Sequence, residues 1–200
     1  MKTLSNEERS RLRELLAYKI EKEYADFEKD LLTKSAEEVI KEAERYVFYK
    51  GVKENLGEDY LKYSGLSDNQ MEALLLQPNT LYALYGFWTS EDFADSILYC
   101  AGEAAHTLFY EEKRSGYHIC CRFYKHEEES CPDRLPVFKF TSRGDKEPQM
   151  HKKLLLVART LLEKEGFDSI DGEYDLYKAG DKKPQESHKV MVTKDMIKFV

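Results

Sequence analysis

Five residues of metal-binding or nucleophilic type crowd one short stretch: His118, Cys120, Cys121, His126 and Cys131. Zinc needs four soft or borderline ligands converging tetrahedrally, most often from paired C-x-x-C knuckles. The spacing here is H-x-C-C-x4-H-x4-C, which has no such knuckle. On a strand, His118 and Cys120 share a face and Cys121 points the other way. A zinc site would therefore draw on His118, Cys120, His126 and Cys131. The stronger reading is that the thiols pack as small hydrophobes, with no metal and no cofactor. A cysteine nucleophile would pair Cys121 or Cys131 with His126 or His106. It would need a lowered thiol pKa. Arg122 adjoins Cys121, but neighbours on a strand point apart. The chain contains no Walker A, GxGxxG, HExxH, EF-hand or GxSxG pattern. A small cysteine- or metal-dependent enzyme, or a zinc-stabilised regulatory protein, is thus the alternative, and a non-enzymatic role is the primary expectation.

A second constellation is acidic and aromatic. The 200 residues carry a net charge of −7, with a pI near 5.4. Residues 51–100 hold only 2 basic groups against 8 acidic ones and so account for −6 of that charge. Direct nucleic-acid binding calls for a basic face, so it is not expected. The same quarter contains Leu81-Tyr-Ala-Leu-Tyr-Gly-Phe-Trp88, where Tyr82, Tyr85 and Trp88 recur at steps of three. Such spacing ordinarily builds core, yet Tyr and Trp are also the residues that anchor interfaces. Glu54, Glu58, Asp59, Asp68, Tyr82, Tyr85 and Trp88 are therefore the candidate partner-binding residues.

The elements that must position these groups are readable from periodicity and caps. Ser5 with Glu8 forms a capping box, followed by Leu12, Leu15, Leu16, Ile20, Tyr24, Phe27 and Leu31 along one stripe of a helix over about 6–32. Ser35 with Glu38 opens a second helix, ended by Gly51 or Gly57. Ser67 with Gln70 opens a third, stopped by Pro78. Asn79 caps a further helical piece over 81–88, and Ser90, followed by Glu91 and Asp92, starts another long helix. At Gly116 the pattern changes. Residues 117–124 and 135–140 are dense in β-formers, with Pro136 delaying the second strand and a loop over 142–148. A helix covers 149–165 and stops at Gly166. Weaker strands lie around 172–177, 190–193 and 196–200. The fold class is α+β: an N-terminal helical unit, residues 1–115, then a small antiparallel sheet packed with one long helix, residues 116–200, the two packing separately or as one domain.

Residues ~10–115 resemble a short bacterial family whose domain has no assigned function, found in Firmicutes and their phages and conjugative elements. The likeness is carried by LLAYKIEKEYADFEKDLL, by S-A-E-E-V-I-K-E-A-E-R-Y and by L-S-D-N-Q-M-E-A-L-L. The sequence departs from the pattern at Lys50-Gly51-Val52, where an acidic Glu-Asp step is common. The resemblance implies a small accessory protein of a mobile element and carries over no catalytic residue.

The expected function is a non-enzymatic interaction module of a phage or mobile element. Its acidic, aromatic surface would bind a basic nucleic-acid-binding protein, in the manner of an anti-CRISPR inhibitor of a host defence nuclease. A homodimer through the helix at 6–32 is a further possibility. The N-terminus has no apolar signal segment and no stretch approaches 18 apolar residues, so the expected location is the cytoplasm, with reduced thiols.

Overall fold

The computed structural model describes residues 4–57, 61–90, 97–113, 117–125, 138–144, 147–178 and 181–199. The fold is α+β. The chain forms two compact units, Leu12–Phe109 and Met1–Arg11 with Tyr110–Val200. The first helix, α1 (Asn6–Leu31), contributes its opening residues to the second unit and the rest to the first.

The helical unit is built on α1. Its stripe Leu12, Leu15, Leu16, Ile20 and Tyr24 is buried. The helix expected from Ser35 onward is interrupted once. The segments α2 (Ala36–Lys41) and α3 (Ala43–Leu56) meet at Glu42, and Gly57 is the C-cap. All three expected capping boxes are present, Ser5 with Glu8, Ser35 with Glu38 and Ser67 with Gln70. The third opens α4 (Asp68–Leu75), whose Met71, Ala73, Leu74 and Leu75 are buried. Next come α5 (Thr80–Ser90) and α6 (Ile97–Lys113). Ser90, from which the following helix was expected to start, is the last described residue of α5. Glu91 and Asp92 lie outside the described residues. From α6, Cys100, Ala101, Ala104 and Ala105 are buried.

The second unit is a five-stranded antiparallel sheet with α7 (Glu147–Glu165) on one face. Its strands are β1 (Tyr117–Lys125), β2 (Phe138–Gly144), β3 (Ser169–Lys178), β4 (Glu186–Thr193) and β5 (Ile197–Phe199), in the order β2-β1-β3-β4-β5. The stretch expected to be loop from Ser142 instead continues β2, where Ser142, Arg143 and Gly144 pair with Ile119, His118 and Tyr117. A partner strand supplies the hydrogen bonds that local composition does not advertise. Strand alternation turns Cys121, Phe123, Ile170, Tyr174, Leu176, Val190 and Val192 into the buried layer, facing Leu154, Val157, Ala158, Leu161 and Leu162 of α7. The helix ends where Gly166 adopts φ +71 and the Phe167 N–H reaches back to the Leu162 carbonyl at 3.0 Å, the closing geometry a glycine permits. At the N-terminal edge, Glu8 pairs with Lys139 at 3.2 Å and Arg11 with Glu165 at 2.6 Å.

One register position decides the packing of this layer. Phe138, Phe123, Gly172, Val190 and Phe199 stand opposite one another in a row across all five strands. A Cβ at Gly172 would lie 3.0 Å from Val190 Cγ2 and 3.3 Å from the Phe123 ring. The glycine leaves the room that the buried Phe123 fills. Gly172→Val should therefore lower unfolding stability by about 1–3 kcal/mol through overpacking. Urea denaturation checks this, and an unchanged midpoint would mean that the ring does not sit over the glycine.

Candidate functional site

The helical unit contains a cleft of about 390 Å³ lined by Glu23, Asp26, Phe27 and Asp30 from α1, Arg45 and Tyr49 from α3, and Asn79 and Tyr82 at the start of α5. Its floor is held by an ionic clamp. Lys19 is 5% exposed. Its ammonium donates to the Leu75 carbonyl at 2.8 Å and to the Gln77 carbonyl. Both lie at the C-terminal end of α4, the negative pole of a helix. One turn along α1, the Glu23 carboxylate accepts the backbone N–H of Thr80 at 2.9 Å and of Leu81 at 2.8 Å. Those are orphan donors at the positive pole of α5. Lys19 and Glu23 are 3.8 Å apart. The Thr80 hydroxyl donates to the Leu74 carbonyl at 3.0 Å, and Asn79 Oδ1 accepts the Tyr82 N–H at 2.7 Å. The α4–α5 corner thus has its backbone ends satisfied from a helix far away in sequence.

Burial pushes the Lys19 ammonium down to about 8, with Glu23 opposing the shift. Burial also raises the Glu23 carboxyl, against the pull of Lys19 and the two N–H donors. Tyr49 is pushed up to about 12, chiefly by burial, so its phenol stays protonated. It packs edge-on to Phe27 with centroids 4.8 Å apart. Arg45 reaches Glu42 at 2.9 Å and lies 5.2 Å over the Tyr85 ring, a cation–π contact.

At the mouth stand Asp26, Asp30 and Tyr82. Their companions are surface ion pairs, Asp26 with Lys29 at 3.9 Å and Asp30 with Lys34 at 2.7 Å. The side chains of Asp26 and Asp30 are 61% and 57% exposed, so these pairs are worth little and exchange readily. Tyr82 is 62% exposed. The lining has no thiol or imidazole. Carboxylates beside an aromatic ring can hold a cation.

Of the residues singled out from sequence, Tyr82 lies in this cleft. Tyr85 and Trp88 pack on Phe48, with centroids 5.6 and 5.1 Å away, and Tyr85 also meets Tyr49 at 6.1 Å. They brace the wall behind it. Glu54 is exposed on α3, 4.0 Å from Lys50. Asp68 occupies the first turn of α4, where a negative charge favours the helix. Glu58 and Asp59 lie outside the described residues. Asp26, Asp30, Phe27, Arg45 and Tyr49 escaped the sequence reading. For Asp26 and Asp30 the signal was a charged face of α1 beside its apolar stripe, which reads equally as a solvated surface.

His126 and Cys131 of the histidine–cysteine stretch lie outside the described residues. His118 and Cys120 sit two apart on β1, opposite Tyr177 and Asp175 of β3. Among the described residues no group of three or more His, Cys, Asp or Glu is placed to hold a metal ion. Cys121 is 2% exposed, and burial lifts its thiol well above the ordinary value. That is the reverse of an activated nucleophile. Arg122 instead engages Asp175 at 3.1 Å and Glu173 at 3.6 Å. Cys100 is buried too, its thiol pushed up to about 11, and His106 is exposed on α6. The buried Tyr174 hydroxyl is 2.6 Å from His151 Nε2, while His188 stacks on its ring at 4.9 Å and meets Glu186 at 2.8 Å. No helix among the described residues is long and apolar enough to cross a membrane.

The clamp yields a test. Lys19→Met keeps the apolar stem but removes the donor to two buried carbonyls, so unfolding stability at neutral pH should fall by about 1–3 kcal/mol. In the wild type, folded Lys19 gives up its proton near pH 8, whereas the unfolded chain holds it to about 10.5. Between those values the folded state binds fewer protons, so this group makes stability rise with pH. The wild-type stability should therefore climb relative to Lys19→Met from pH 8 to 10. A flat difference in urea titrations over that range would contradict the burial of the ammonium.

No family model matches the chain, and comparisons with curated proteins and with solved structures find no match.

Proposed function

We propose that this chain is a non-enzymatic protein-interaction module that grips a basic segment of a partner protein. The observation that carries the reading is the juxtaposition of the exposed Tyr82 ring with the Asp26 and Asp30 carboxylates around one cleft. A lysine or arginine side chain entering there would meet the Asp26 and Asp30 carboxylates and an aromatic face, while the Arg45 guanidinium in the lining is engaged by Glu42 and the Tyr85 ring. The entering side chain would displace the exposed Lys29 from Asp26 and release Lys34 from Asp30 to its second partner, Glu42. The floor is preorganised by the Lys19–Glu23 clamp, which lowers the ordering cost of binding.

Within this reading, the partner class is a basic nucleic-acid-binding protein, and the role is inhibition by occupying its phosphate-binding channel. Two things support it: the concentrated negative charge of residues 51–100, and the resemblance of residues ~10–115 to a family of phages and conjugative elements. An anti-CRISPR-like action on a host defence nuclease is the form this takes in a mobile element, and the cytoplasm is where it would act.

An arginine-rich peptide titrated onto the full chain tests the site. Asp26→Lys with Asp30→Lys should slow association and flatten its dependence on salt, because rim charges act mainly on the on-rate. Tyr82→Ala should shorten the complex lifetime by about tenfold, as loss of an anchor does. Surface plasmon resonance at two salt concentrations separates the effects. Binding that both variants leave untouched would remove the cleft as the binding site.

A further inference from the structure

A different face of the helical unit carries an independent inference. The helices α2 and α3 follow one another through Glu42 with little break. The Glu42 N–H bonds to the Glu38 carbonyl at 3.2 Å, and the Tyr46 N–H bonds to the Glu42 carbonyl at 2.9 Å. One side of this stretch, through Phe48, Tyr49, Val52 and Leu56, is buried. On the opposite side Ala36, Ile40, Ala43, Val47, Lys50 and Glu54 recur at steps alternating between four and three, and all six are exposed. Ile40 is 74% exposed and Val47 68%. No residue of α2 is buried.

Alternation of three and four is the seam of a coiled coil, the pattern that meets another helix rather than an irregular surface. Two of its positions are alanine, which allows helix backbones to approach closely. Glu37 lies beside the start of the seam, and Lys50 precedes its last residue, Glu54, with which it makes an exposed ion pair at 4.0 Å. A copy laid antiparallel sets unlike charges, Glu37 and Lys50, against each other. Ile40 then stands beside the partner's Val47, Ala43 lies near the twofold axis, and Glu37 stands opposite the partner's Lys50. A parallel copy would instead stack Lys50 on Lys50 and Glu54 on Glu54. We propose that the outward face of α2 and α3 is the isologous interface of an antiparallel homodimer.

Sedimentation velocity on the full chain, over a concentration series, tests this. The wild type should show a reversible monomer–dimer equilibrium. Ile40→Lys should raise the dissociation constant by about tenfold or more, with unchanged circular dichroism and urea midpoint because the side chain is exposed. Glu37→Lys and Lys50→Glu should each weaken the dimer, and the double variant should recover it. A chain that stays monomeric at every concentration overturns the proposal. So does a dimer indifferent to Ile40→Lys, which would lie on another face. Failure of the double variant to recover association overturns the antiparallel pairing.

Discussion

The helical unit depends on one buried ionic pair that joins two helix ends. Lys19 and Glu23, one turn apart on α1, meet the C-terminal carbonyls of α4 and the first amides of α5. A charged group taken from water is costly unless its hydrogen bonds are replaced, and a buried helix end is costly for the same reason. Each deficit answers the other here. The positive group faces the negative pole of one helix, and the negative group faces the positive pole of the next. The consequence reaches the surface. Glu23 also lines the cleft, so the interaction that sets the α4–α5 corner also places Asn79 and Tyr82 at its mouth.

The aromatic side chains divide into two jobs by burial. Phe48 and Tyr49 are each 4% exposed. With Phe27, Tyr85 and Trp88 they form a set of tilted and edge-on contacts between 4.8 and 6.1 Å, the arrangement favoured by ring quadrupoles. This stiff wall leaves Tyr82 as the ring that faces solvent beside carboxylates. The same run of residues therefore supplies both the support and the contact.

The sheet unit solves a different problem. Its buried layer is apolar apart from Tyr174, whose hydroxyl finds His151, and its other face carries a satisfied polar set. Arg122 bridges Glu173 and Asp175, Ser187 donates to Asp175 at 2.7 Å, and Tyr124 donates to Glu173 at 3.3 Å. Strand alternation puts Cys121 in the first set and Arg122 in the second. The neighbour that looks in sequence like an activator of the thiol is thereby turned away from it.

Local signals in the chain determined much of the architecture. The Ser-x-x-Glu and Ser-x-x-Gln boxes, the apolar stripe of α1, the change of period at Gly116 and the glycine stop at Gly166 each act within a few residues, so they can be read along the chain. The break at Glu42 and the extension of β2 through Gly144 could not, because each depends on what the segment packs or pairs with. The candidate site was legible only at Tyr82. Asp26 and Asp30 look like any solvated helix face until α3 and α5 close around them, and Lys19 looks like a surface lysine until α4 ends against it. Charge and ring type belong to the sequence. Whether a charge meets water, a helix end or a neighbouring ring is decided by residues some sixty positions away, and only the tertiary structure brings those together.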